Sequence, residues 1–123
     1  LEKEGMINEA IAVYEKAIIP QLPATHPYDR LMILYRKKKD YYNEIRIIKI
    51  AISVFMKENE RRAGRIIEED SSLYNQVMQA LETNESIRYE DGKWAFVQYD
   101  VMEYITRLEK AKKLLEKSKS TMN

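Results

Sequence analysis

The sequence predicts an all-α protein, and three observations support that class. Glycine and proline number only three each in 123 residues, too few for a loop-rich or all-β chain. Apolar residues recur at spacings of three and four along most of the chain, as they do on one face of an α-helix. Segments of the N-terminal half also repeat at a constant offset, which is typical of helical repeat proteins.

Composition limits the class of protein further. Hydrophobic residues make up 45% of the chain and charged residues 33%, so we expect one folded domain over residues 1–123. There is no cysteine, which excludes disulfides and thiolate chemistry. No apolar run approaches the roughly 20 residues that span a bilayer, and no signal peptide is visible. We therefore expect a cytoplasmic protein without a membrane partner.

Three helices are predicted in the first half. The first runs from Met6 to Ile19 and is ended by Pro20, which lacks an amide proton. The second runs from Pro27 to Lys38, with Thr25 or His26 as its cap and Asp29 beside its positive amide end. The third begins at Tyr41, after Asp40 as its N-cap, and continues past Phe55 towards Ile66 or Glu68. It carries two adjacent apolar stripes, so it must be covered on two sides.

The first and third helices match residue by residue at an offset of 34. The aligned pairs are Ile7 with Tyr41, Ile11 with Ile45, Val13 with Ile47, Tyr14 with Ile48, Ala17 with Ala51 and Ile18 with Ile52. This period and these residue types resemble the tetratricopeptide repeat (TPR) family. Tyr28, Leu31 and Tyr35 are similar to that family's first-helix residues, and Tyr41, Ile48 and Ala51 to those of its second helix.

The resemblance implies one and a half TPR-like hairpins in residues 1–57, extended by further helices in residues 58–123. Lys39 stands at the family's turn glycine, and Glu44 replaces its first small residue. The first repeat lacks its opening helix, which indicates a fragment of a longer protein. The resemblance implies that the rods Met6–Ile19 and Tyr41–Phe55 lie side by side, with Ala17 and Ala51 turned inward.

The second half reads as two helices separated by a short insert. A helix from about Leu73 to Thr83 follows a start at Asp70 or Ser71. Residues 85–99 are the non-helical stretch, either a small β-hairpin about the Asp91-Gly92 turn or an ordered loop. We expect Trp94, Phe96 and Tyr99 there to close the open end of the core. Asp100 then caps a last amphipathic helix that is polar on its outer side.

Charge is distributed unevenly despite a net charge of +1. Residues 26–65 carry eleven basic and five acidic side chains, whereas residues 66–104 carry two basic and nine acidic ones. We expect the two segments to lie near each other and neutralise, and the alternative is a charged face that binds a partner.

Enzyme chemistry finds little support, so we expect no catalysis, no metal and no cofactor. His26 is the only histidine and, with no cysteine, cannot form a zinc site. The three glycines are isolated, which excludes a phosphate-binding glycine loop. Glu68, Glu69 and Asp70 are consecutive, and consecutive carboxylates on a helix point in different directions.

The TPR resemblance implies a scaffold or adaptor that binds a peptide or a partner domain. The concave positions on its first helices would be Arg30, Ile33, Arg36 and Lys37, which favours an acidic or C-terminal segment as ligand. One alternative is a nucleic-acid or phosphate-binding module that uses the basic run at residues 36–39, with Tyr42 as its available aromatic. Another is homo-oligomerisation, in which a second chain completes the truncated repeat.

Overall fold

A computed structural model describes residues 4–121, and this part of the chain is 76% helical. Its elements are α1 (Glu4–Ala17), α2 (Thr25–Lys37), α3 (Tyr41–Glu69), α4 (Tyr74–Thr83), β1 (Ile87–Arg88), β2 (Trp94–Phe96) and α5 (Val101–Thr121). A single 3₁₀ turn, Ser71–Leu73, leads into α4. The predicted all-α class is confirmed, with a small antiparallel strand pair added to it.

The turn between α2 and α3 follows from two local features. Lys39 adopts a left-handed φ of 58°, and its amide and that of Asp40 donate to the carbonyls of Arg36 and Tyr35. This is the Schellman arrangement that ends many helices. The Asp40 carboxylate then accepts from the amide of Asn43 at 3.2 Å, so the predicted N-cap of α3 is confirmed.

The predicted cap of α2 is wrong. Its N-cap residue is Ala24, which makes no side-chain hydrogen bond, and Thr25 and His26 already lie in the helix. Asp29 does not serve the first turn either. Its Oδ1 accepts a hydrogen bond from the hydroxyl of Tyr104 at 2.8 Å, which ties α2 to α5.

Helix α3 is the longest element, and it confirms the predicted continuation past Phe55. It runs without a break through residues 57 and 58, where the repeat region was expected to give way to an extension. Arg61 donates two hydrogen bonds to the buried Glu58, at 2.6 and 2.8 Å. These bonds, with those from Arg62, hold the pKa of Glu58 at about 2.

Two separate groups of buried side chains form the core. The larger group lies among α2, α3 and α5, and Phe55 is at its centre, against the rings of Tyr28, Tyr99 and Tyr104. The smaller group joins α3 to α4 and β2 through Ala63, Val77, Ala80 and Phe96. Helix α5 therefore covers the second side of α3, which its two apolar stripes required.

The expected seam between α1 and α3 is only half present. Ala51 is fully buried, but Ala17 is exposed. Helix α1 packs mainly against α2, and its Ile11 and Tyr14 lie against the larger core group. A polar contact joins α1 to α3, because the carboxylate of Glu15 accepts from the guanidinium of Arg46. The same carboxylate accepts from the hydroxyl of Tyr35 in α2 at 2.5 Å.

The insert at residues 85–99 is a two-stranded hairpin closed by Gly92 at φ 89°. Phe96 is buried, as expected. Trp94 does not close the core, because 52% of it is exposed and the guanidinium of Arg88 lies 3.9 Å from its ring centre. Residues two apart in a regular strand face the same side, but the pairing register shifts between Ile87–Phe96 and Arg88–Trp94. This bulge in the short strand pair interrupts the alternation and separates Trp94 from the buried side of Phe96.

Candidate functional site

The candidate functional site is a groove between α3, α4 and α5. Its volume is about 430 Å³. Each of the three helices contributes one methionine, Met56 from α3, Met78 from α4 and Met102 from α5. We call this surface the methionine groove. Leu81, Val101 and Ile105 add further apolar lining.

All three groove methionines are exposed. Their exposed fractions are 47% for Met56, 41% for Met78 and 54% for Met102. Thioether side chains are unbranched and polarizable, so they adapt to apolar partners of different shapes. Contiguous exposed apolar surface with polar residues at its edge marks interaction sites in soluble proteins.

Two amide side chains fix the base of the groove. Asn59 is 3% exposed, and it brackets Tyr99 by accepting from its amide at 2.7 Å and donating to its carbonyl at 3.1 Å. Asn84 adopts a left-handed φ of 56°, and its Oδ1 accepts from the amides of Val101 and Met102 at 2.7 and 3.1 Å. Asn84 therefore caps α5 and fixes Met102 relative to α4.

A third amide leaves one acceptor unused. The Nε2 of Gln98 donates to the carbonyls of Ala80 and Glu85, at 2.9 and 2.5 Å. Its Oε1 is buried and has no hydrogen-bond partner among the described residues, although Gln98 lines the groove. A buried acceptor without a donor is rare in folded proteins.

The edge of the groove is acidic. Glu60 and Glu82 line it, and all nine acidic side chains between Ile66 and Tyr104 are exposed. The basic and acidic segments lie near each other as expected, since α3 packs against α4 and β2, but no ion pair between described residues joins them. Instead, Arg61 and Arg62 pair with Glu58 in their own helix.

The residues predicted to bind a partner lie on α2, away from this groove. Ile33 is 41% exposed, Lys37 is exposed and Arg30 is half-buried. Arg36 is committed to a contact within the chain, because its Nη2 lies 2.5 Å from Oε2 of the buried Glu44. The contact is an ion pair without hydrogen-bond alignment, since that same nitrogen makes no hydrogen bond.

Of those four predicted residues, the structure brings together Ile33 and Arg36. They line a recess of about 180 Å³ with Met32, Glu44 and Arg107. Glu44 is therefore the buried counter-ion of Arg36. From the TPR resemblance it was expected only to be a departure from the family pattern.

The basic run at residues 36–39 is only partly available to an anionic ligand. The Nζ of Lys38 donates to Asn8 at 2.5 Å, and Arg36 contacts Glu44. Tyr35 is buried, whereas Tyr42 is 65% exposed, as the sequence predicted for the available aromatic. Lys119 already lies 5.5 Å from the ring centre of Tyr42.

Residues 4–121 lack the features of a metal site and of a membrane span. No group of three histidine or acidic side chains there is arranged to hold a metal ion. None of the helices in that range has the length and apolar character needed to cross a bilayer.

Comparisons of the chain with protein-family models, curated proteins and solved structures found no match. The resemblance to TPR proteins thus depends on the residues that carry it and stays a prediction.

The methionine groove was not predicted from the sequence, although a signal for it exists. Each groove methionine directly follows a buried residue, Phe55, Val77 or Val101. Large apolar residues beside a buried stripe widen the apolar arc of a helix beyond what its core needs.

Proposed function

We propose that this chain is a protein-binding module whose methionine groove takes an amphipathic helix with basic flanks. The observation that carries the proposal is the convergence of three exposed methionines from three different helices. Helix-in-groove recognition places apolar anchors at spacings of three and four residues into a groove of this kind.

The charge around the groove supports basic flanks on the partner. Glu60 and Glu82 lie at the edge, and the surrounding segment carries nine acidic and two basic residues. Opposite charge accelerates encounter and discourages acidic competitors. The partner of this groove is therefore opposite in charge to the acidic peptide that the sequence analysis placed on α2.

The TPR-like part of the proposal concerns α1 to α3. Consecutive packing of α1 on α2 and of α2 on α3 supports it, as does the left-handed Lys39 at the position of the family's turn glycine. In this proposal the hairpin is the scaffold, and α4 and α5 build the binding surface at its far end. The proposed function is binding rather than catalysis, and the proposed location is the cytoplasm.

Methionine-methyl NMR tests the groove directly, because the chain carries six methionines. The probe is a synthetic amphipathic peptide of leucine and lysine, with leucines at helical spacings of three and four. We expect it to shift the methyl signals of Met56, Met78 and Met102 while those of Met6 and Met32 stay unchanged. A peptide of identical composition, with its leucines scattered around the helix, is the matched control and should not bind.

Three variants make the test specific. Met102→Gln and Glu82→Lys should each weaken binding severalfold, the first by loss of an apolar anchor and the second by charge repulsion. Ile33→Gln removes an apolar residue of similar exposure from α2 and should leave binding unchanged. Binding that follows Ile33, or a preference for a glutamate version of the peptide, would place the site on α2 and refute the proposal.

A further inference from the structure

Helix α1 carries an apolar stripe that no described residue covers. Met6 is 59% exposed and Val13 is 64% exposed, Ala17 is exposed, and Ala10 is half-buried. Their successive spacings are four, three and four residues, which is the seam of a two-stranded coiled coil. The face of α1 that packs on α2 lies next to this stripe, so the stripe is additional to what the core uses.

The sizes of the four residues are complementary when two copies of the stripe run antiparallel. Met6 of one copy then lies opposite Ala17 of the other, and Ala10 lies opposite Val13. Every layer thus pairs a large side chain with a small one, as close packing of facing helices requires. Two-fold symmetry repeats each layer, as expected for an isologous dimer.

The flanking charges are complementary in the same arrangement. Glu9 and Lys16 are one heptad apart on the flank of the stripe that faces away from α2, and both are exposed. Neither makes an ion pair with another described residue. Antiparallel pairing puts Glu9 of each copy beside Lys16 of the other, twice per dimer. Parallel pairing would instead place Glu9 opposite Tyr14, which leaves the carboxylate without a basic partner.

We propose that the occupant of the α1 stripe is a second copy of this chain, paired antiparallel through α1. Ile19 and Leu22, which are 75% and 61% exposed, extend the apolar surface beyond the end of the helix. Two helices of 14 residues bury less than a standard interface, so the dimer is weak and depends on concentration. This surface is independent of the methionine groove.

Charge exchange tests the pairing by sedimentation equilibrium over a wide range of concentrations. Glu9→Lys alone sets lysines against lysines, and Lys16→Glu alone sets glutamates against glutamates. Each should weaken dimerisation roughly tenfold, because two pairs per dimer change sign. The double variant Glu9→Lys/Lys16→Glu should restore it, and an equimolar mixture of the two single variants should form a heterodimer.

Two further variants distinguish pairing through the α1 stripe from a general effect of added negative charge. Val13→Glu should abolish the dimer, and since Val13 is exposed, circular dichroism should stay unchanged. Lys49→Glu changes the same charge at an exposed site on α3 and should have no effect. A monomer at every concentration, a double variant that fails to restore pairing, or a dimer that tolerates Val13→Glu would each overturn the proposal. If the chain is a monomer at every concentration, the occupant of the α1 stripe would instead be a helix of another protein.

Discussion

Replacing Lys39 with glycine should make this protein more stable. Lys39 is held at φ 58°, in the left-handed region, where the Cβ of an ordinary residue approaches a carbonyl oxygen. That conformation costs an L-residue about 1–2 kcal/mol, and it costs glycine almost nothing. The amide hydrogen bonds to Arg36 and Tyr35 do not use the side chain, so they survive the substitution.

The expected gain follows from two opposing terms. Relief of the left-handed strain gives about 1–2 kcal/mol, and the greater freedom of glycine in the unfolded chain removes about 0.4–1 kcal/mol. The net gain is about 0.5–1 kcal/mol. With about 2.1 cal/mol/K of unfolding entropy per residue, 1 kcal/mol raises the melting temperature of this 123-residue chain by about 4 °C. We therefore expect a rise of about 2–4 °C.

Urea denaturation followed by far-ultraviolet circular dichroism measures the free energy of unfolding, with matched controls at two adjacent lysines. Lys39→Ala keeps the Cβ and should bring no comparable gain. Lys38→Gly is the opposite control, because Lys38 has an ordinary φ of −80° and donates to Asn8. It should destabilise the protein. The strain argument fails if Lys39→Gly is no more stable than Lys39→Ala.

Two further predictions concern buried carboxylates. Hydrogen bonds from Arg61 hold the pKa of Glu58 at about 2, against an ordinary value of 4.5. As the pH falls through that interval, the unfolded chain takes up a proton that the folded chain does not, so stability is lost. Urea titrations at several pH values should show a smaller loss over the same interval for Glu58→Gln; an equal loss would contradict the assignment. At the Arg36–Glu44 pair, Arg36→Met should cost about 2–4 kcal/mol because it leaves a buried carboxylate unpaired, whereas Arg36→Met/Glu44→Met should recover most of that loss. A double-mutant cycle measures the coupling, and additive costs would show that the pair is not coupled.

The prediction about Arg36 also affects how the basic run can be tested. Reversing the charges of residues 36–39 to glutamate would place a glutamate beside the buried Glu44. Loss of nucleic-acid binding in that variant would therefore report unfolding as well as lost contacts. Lys39→Glu, at an exposed position, is the cleaner variant.

Helix caps, helix lengths and turns could largely be predicted from the sequence. Asp40 and Asp100 cap helices as predicted, because an aspartate before an apolar periodic segment has one dominant use. The long α3 and the hairpin about Gly92 likewise follow from the absence or presence of turn residues. The role of Asp29 at the start of α2 was misjudged because a tertiary partner, Tyr104, donates a hydrogen bond to it.

Features that depend on packing between residues far apart in sequence could not be predicted from the sequence. Periodicity shows that Ala17 lies at the edge of an apolar face, but only the placement of α2 decides whether that edge is covered. The methionine groove depends on three helices whose methionines are more than 20 residues apart in sequence. Glu44 is in the same class, since a glutamate within a helix is ordinarily exposed and only its neighbour Arg36 makes burial tolerable.

The length of α3 fixes the distance between the two ends of this protein. At 1.5 Å per residue its 29 residues form a rod of about 43 Å, and both core groups are anchored to it. Dyes attached near its two termini would keep a constant separation whether or not the groove is filled. If the proposed function is correct, α3 would hold a helix bound in the methionine groove at a fixed distance from α1.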